Sequence, residues 1–80
     1  MYTNNHRRLE MILKNLIKTI ENEYVVVHTA IHFYKLNGVS DIDQQLVYLH
    51  GKQDILTNLL NSLGYNSTDF ANLLSTQGKF

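Results

Sequence analysis

Two long series of apolar residues at helical spacing, separated by one short breaker, constrain the fold of this chain more than any other feature. The first series covers residues 9–34, with steps of three and four that place its members on one side of a helix. The second covers residues 42–63 with heptad spacing, and Gln53 is its polar member. The breaker covers residues 36–40, and the chain contains no proline. This pattern predicts a long antiparallel helical hairpin.

Capping signals set the limits of the predicted helices. Asn4 or Asn5 can cap the first helix, Ser40 can cap the second, and Gly64 can end it. The chain 1–80 is therefore predicted to be one all-α domain, with helices at about 5–36, 40–63 and 67–75 and a tail at 76–80. Gly51 lies inside the second helix, either as a tolerated surface glycine or as a point of close contact with another helix.

A strand is the competing interpretation for residues 24–34. Val25, Val26, Val27 and Ile31 are β-branched, which lowers helix propensity and favours strands. Strict alternation of apolar and polar residues is absent there, and the helical phase of the first series continues through the segment. We therefore expect helix.

The length of the first helix predicts self-association. About 32 residues of helix span about 48 Å, whereas a compact chain of this size is only about 30 Å across. Either this helix breaks or a second copy covers its excess apolar surface. A second set of apolar residues, at the edges of the two main faces, also predicts an interface: Val26, Ala30, Phe33, Tyr48, Ile55 and Leu59. The alternative is an irregular three-helix core that buries both edges.

Charge is unevenly distributed, although the formal net charge is zero. Residues 1–20 carry four basic residues against one acidic residue, a balance of +3, and the rest of the chain carries −3. This asymmetry favours antiparallel self-pairing, or binding of a small anionic ligand or nucleic acid at the basic end. The zero net charge disfavours nucleic acid. The candidate anion-binding residues are Arg7, Arg8, Lys14 and Lys18.

No arrangement of residues predicts catalysis, a metal site or a cofactor. Cysteine is absent, and no Ser, His and acidic residues have the spacing of a nucleophilic triad. His28 and His32 have the spacing of two helical metal ligands, but the sequence supplies no third ligand. Four tyrosines could line a pocket, although helical spacing is more typical of core or interface positions. We expect no enzyme activity.

The sequence predicts a small non-enzymatic protein-interaction module that self-associates and binds, and by binding can inhibit, a partner protein. A homodimer or higher oligomer is expected. No signal sequence or membrane-spanning segment is recognisable, so the expected location is the cytoplasm. In size, lack of cysteine and asparagine-rich helical composition, the chain resembles the small accessory proteins of phages and mobile elements.

Overall fold

The computed structural model describes residues 2–77, with side chains from position 7 to position 75. All regular structure in these residues is helical, which confirms the all-α class. The helices are α1 (Tyr2–Leu36), α2 (Gln44–Ser62) and α3 (Ser67–Gln77). Residues 24–34 continue α1 without a break, so the strand interpretation is wrong. The helical phase outweighs the β-branched residues because it buries Val27 and Ile31 on the main apolar face.

α2 begins four residues later than the sequence predicts. Asp43, not Ser40, is its N-cap, because the Asp43 carboxylate accepts a hydrogen bond from the backbone N–H of Gln45 at 2.9 Å. The Ser40 hydroxyl instead accepts from the N–H of Ile42 within the preceding turn, at 3.4 Å. Ile42 therefore lies outside α2 and is 86% exposed, so its place in the second apolar series is wrong.

The outer helix ends also differ from the prediction. α1 begins at Tyr2, so neither Asn4 nor Asn5 is its N-cap. α3 continues to Gln77, two residues beyond the predicted end, and positions 78–80 of the predicted tail lie outside the described residues. At the start of α3, Asn66 and Asp69 each donate a backbone N–H to the side chain of the other. This reciprocal pair satisfies two amides that the helix itself leaves unpaired.

The core lies where α2 and α3 pack against the second half of α1. α2 returns along α1 after the turn at Gly38, whose φ of +76° suits glycine. Leu46 and Leu60 of α2 are fully buried. The buried residues of the core are Tyr24, Val25, Val27, Ile31, Leu46, Leu56, Leu60 and Leu73. A Cβ added at Gly51 would meet nothing within 4 Å, so Gly51 is a surface glycine and makes no close contact with another helix of the same chain.

α1 extends well beyond the helices that pack on it. Its 35 residues correspond to about 52 Å, against about 28 Å for α2. The described structure measures 56 × 24 × 19 Å, and its radius of gyration is 15.6 Å, whereas a compact chain of this length has about 12 Å. Residues 7–18 form the projecting part, which we call the overhang. Every side chain in the overhang is exposed except that of Ile17, which is half-buried.

Candidate interaction surface

The six residues predicted for self-association remain accessible in the folded chain. We call them the flank. Val26, Phe33, Tyr48, Ile55 and Leu59 are exposed, and Ala30 is half-buried. The alternative in which a three-helix core buries both edges is therefore wrong. These residues contribute to a large accessible area, 6314 Å², against about 5,000 Å² expected for a compact protein of 9.3 kDa.

An ion pair between Glu23 of α1 and Lys52 of α2 lies beside the flank. Lys52 Nζ lies 3.1 Å from Glu23 Oε2. The hydrogen bond and the charge of Glu23 raise the pKa of Lys52, because the carboxylate stabilises the protonated ammonium. Lys52 also borders an open groove of about 450 Å³ whose other walls include Tyr48 and Ile55. The pair therefore places these two apolar side chains on the same side of the hairpin as Glu23.

α3 lies on the other side of the hairpin and leaves the flank open. Glu21 accepts a hydrogen bond from the Tyr65 hydroxyl, and the ring of Tyr24 lies 5.1 Å from that of Phe70. Glu21 and Val26 are five residues apart, which places them about 140° apart around α1. Because α3 packs on the Glu21 side, Val26 remains exposed while Val25 is buried. The sequence analysis missed Val25, since its position lies off the main apolar face.

The overhang carries a second exposed apolar surface. Its exposed apolar side chains are Leu9, Met11, Ile12, Leu13 and Leu16, each at least 55% accessible. The four predicted anion-binding residues are exposed on the same segment: Arg7, Arg8, Lys14 and Lys18. Apolar and basic side chains thus share one projecting stretch of helix. Such a stretch can pack against an apolar surface with acidic surroundings.

The histidine pair is exposed, and two of the four tyrosines, Tyr24 and Tyr48, lie in different parts of the structure. Gln53 Nε2 donates a hydrogen bond to His28 Nδ1 at 3.2 Å, which requires the ring proton on Nε2, and His32 is exposed. The described residues contain no group of three His, Asp or Glu side chains able to hold a metal ion. Tyr24 is in the core, whereas Tyr48 is exposed on the flank. Tyr24 therefore has the core position that helical spacing favours, and Tyr48 is on the exposed surface.

The Tyr65–Glu21 hydrogen bond fixes the turn between α2 and α3 to α1. It raises the pKa of the Tyr65 phenol to about 12, with smaller contributions from burial and the Glu21 charge. The ordinary tyrosine pKa is about 10. The folded chain therefore holds this proton more tightly than the unfolded chain does. Its contribution to stability is complete below about pH 10 and is lost as the pH rises towards 12.

We expect Tyr65→Phe to lower the free energy of unfolding by about 1 kcal/mol at pH 8, because it removes one partly exposed hydrogen bond to a carboxylate. The difference between the two proteins should shrink towards zero between about pH 10 and 12. Urea unfolding at a series of pH values, followed by circular dichroism, measures this difference. A difference that stays constant across the range would contradict the assigned hydrogen bond.

No helix in the described part of the chain is both long and apolar enough to cross a membrane. Comparison with protein-family models, curated proteins and solved structures found no match to this chain.

Proposed function

We propose that this chain is a small non-enzymatic module that self-associates and acts by binding a partner protein through its helical surfaces. The observation that supports this proposal is the amount of apolar surface that one copy leaves exposed. Fourteen large apolar side chains are exposed among the described residues, and the total accessible area, polar and apolar together, exceeds that of a compact protein of this mass by about 1,300 Å². A monomer rarely exposes contiguous apolar patches larger than a few hundred Å². Protein association removes such surface from water at a gain of about 25 cal/mol per Å².

The size of the excess fits a stable interface. An interface of standard size buries about 800 Å² of each partner, which is less than this excess. A second copy that packs along α1 leaves the flank residues of α2, which are Tyr48, Ile55 and Leu59, to bind a different protein. Inhibition of that protein by occupation of its binding surface is the mode of action that needs no catalytic group.

Binding of a small anion or nucleic acid by the overhang is the second candidate. It is supported by the exposure of Arg7, Arg8, Lys14 and Lys18 along one segment. Such binding would depend on contacts to phosphate and would weaken steeply with salt. The zero net charge of the chain opposes it, because long-range attraction to a polyanion requires an excess of positive charge.

Two variants separate the candidates. Phe33→Asp places a charge on the flank and leaves all four basic residues intact, so it should reduce self-association and have no effect on anion binding. Arg7→Glu, Lys14→Glu and Lys18→Glu together should abolish any binding of a labelled DNA or RNA oligonucleotide. The mass in solution by light scattering measures the first effect, and fluorescence anisotropy at about 50 mM salt measures the second.

The proposal requires that Phe33→Asp lower the mean mass of the protein in solution. Unchanged self-association in this variant would contradict the assignment of the flank. Tight oligonucleotide binding by the unmodified protein, lost in the triple variant, would favour the second candidate instead. Helical circular dichroism of each variant shows whether the fold is retained, and Phe33 is 61% exposed, so its replacement leaves the core intact.

A further inference from the structure

α1 carries a second heptad pattern along its exposed side, distinct from the pattern that packs against α2. Its members recur at alternating steps of three and four over three and a half heptads: Leu9, Ile12, Leu16, Thr19, Glu23, Val26, Ala30 and Phe33. We call this set the outer seam. Six of its eight members are apolar. Such a repeat is the pattern that lets two helices wind around each other with interlocking side chains.

The outer seam is accessible along its whole length in the single chain. Leu9, Ile12 and Leu16 in the overhang are exposed, as are Val26 and Phe33 in the flank. Glu23 and Ala30 are half-buried, and Thr19 is exposed. Ile12 and Ala30 are 18 residues apart, which is five complete helical turns, so overhang and flank share one side of α1. The seam therefore joins the two exposed surfaces into one continuous strip.

The positions of the outer-seam residues are symmetric about position 21. Leu9 and Phe33 are each twelve positions from it, and Ile12 and Ala30 are each nine. Leu16 and Val26 are each five positions away, and Thr19 and Glu23 are each two. In an antiparallel pair, a residue on one side of the two-fold axis meets the residue at the same distance on the other side. An axis at position 21 therefore gives every seam residue a seam partner.

From this symmetry we infer that a second copy of the chain covers the outer seam, as an antiparallel α1–α1 pair with its two-fold axis at position 21. The overhang of each copy then packs on the flank of the other. Leu9 meets Phe33, Ile12 meets Ala30, and Leu16 meets Val26 in each half of the pair. This arrangement rests on the self-association proposed above and specifies its geometry.

Charge disfavours the pairing of one overhang with the other overhang. Residues 7–18 carry a net charge of +3, from four basic residues and Glu10. Residues 24–35, which face the overhang in the antiparallel pair, carry one formal charge, that of Lys35. The antiparallel pair therefore places each +3 segment beside a segment of +1 in the other copy. Pairing of the two overhangs with each other would place +3 beside +3, which disfavours that alternative.

The centre of the seam is its polar part and sets the register. Thr19 of one copy faces Glu23 of the other on both sides of the axis, and Glu23 keeps Lys52 of its own chain as an ion-pair partner. Polar residues at seam positions lower stability but select one register and one number of strands. Shifting the pair by one heptad would bring Glu23 against an apolar side chain and leave seam residues without partners.

Cross-linking of single-cysteine variants tests the arrangement, because the natural chain contains no cysteine. Ile12→Cys and Ala30→Cys are prepared separately, mixed, equilibrated and oxidised with diamide. We expect a disulfide-linked dimer in the mixture and little or none in either variant alone. In the antiparallel pair, two thiols introduced at position 12 would be about 27 Å apart, far beyond disulfide reach. A mixture of Glu10→Cys and His32→Cys is the matched control, since these positions lie at equal distances from position 21 but off the seam.

The outcomes separate the arrangement from self-association itself. A disulfide in Ile12→Cys alone would overturn the antiparallel pair at this register, in favour of a parallel or an overhang-only pair. Equal cross-linking in the seam mixture and the control mixture would also overturn it, since it would show random collision. If light scattering shows the unmodified protein to be a monomer at the concentration used, that result contradicts the proposed self-association and, with it, the antiparallel pair.

Discussion

Replacing Leu16 with aspartate is expected to convert the self-associated protein into a monomer. Leu16 is 55% exposed in the single chain, so the change removes nothing from the core. In the antiparallel pair, however, each copy would bury a carboxylate beside Val26 with no partner. Two lost leucine contacts together with two buried charges should weaken the pair by at least about 3 kcal/mol, or more than about 100-fold in Kd.

Met11→Asp is the matched control for this experiment. Met11 is also in the overhang and is 64% exposed, and the substitution changes the charge by the same amount. It lies off the outer seam, so we expect little change in Kd. Analytical ultracentrifugation of both variants at several concentrations measures the two effects. Equal weakening by both variants would show that apolar surface in general, rather than the seam, drives association.

Replacing Leu60 with alanine is expected to have the largest effect on folding. Leu60 is fully buried between the helices. Removing three carbons from such a position lowers the free energy of unfolding by about 2–5 kcal/mol, because the side chain buries less apolar surface and a cavity remains. Small domains have total stabilities near the lower end of about 5–15 kcal/mol. The variant should therefore unfold at a much lower urea concentration than the natural protein.

Leu36→Ala provides the comparison for Leu60→Ala, because it makes the same chemical change at a residue that is 73% exposed. We expect Leu36→Ala to lower the free energy of unfolding by less than about 0.5 kcal/mol. Both proteins should be measured at one fixed concentration, since association adds to apparent stability by mass action. A loss of less than about 1 kcal/mol for Leu60→Ala would contradict the packing of α2 described here.

The all-α class and the continuity of α1 could be predicted from the sequence because both depend on periodicity. The start of α2 could not, since Ser40 and Asp43 are both good caps by residue type. Which of them caps depends on the path of the turn after Gly38. Ile42 was misplaced for the same reason, because its spacing matches the second series although the helix has not yet begun.

The side of α1 that α3 covers could not be predicted from the sequence either. Val25 lies away from the main apolar face and is buried, because α3 packs on that side. The flank was identified correctly as accessible, since its residues exceeded what a hairpin alone could bury. The extent of the overhang depended on how far α2 reaches along α1, which follows from the observed helix ends.

The central claim is that one copy of this chain exposes more apolar surface than a folded monomer retains. The mass of the unmodified protein in solution, measured by light scattering after size-exclusion chromatography, tests it most directly. At about 100 µM, well above the Kd expected for such an interface, we predict twice the chain mass of 9.3 kDa. A mass of 9.3 kDa at every concentration, with no dependence on loading, would contradict the account.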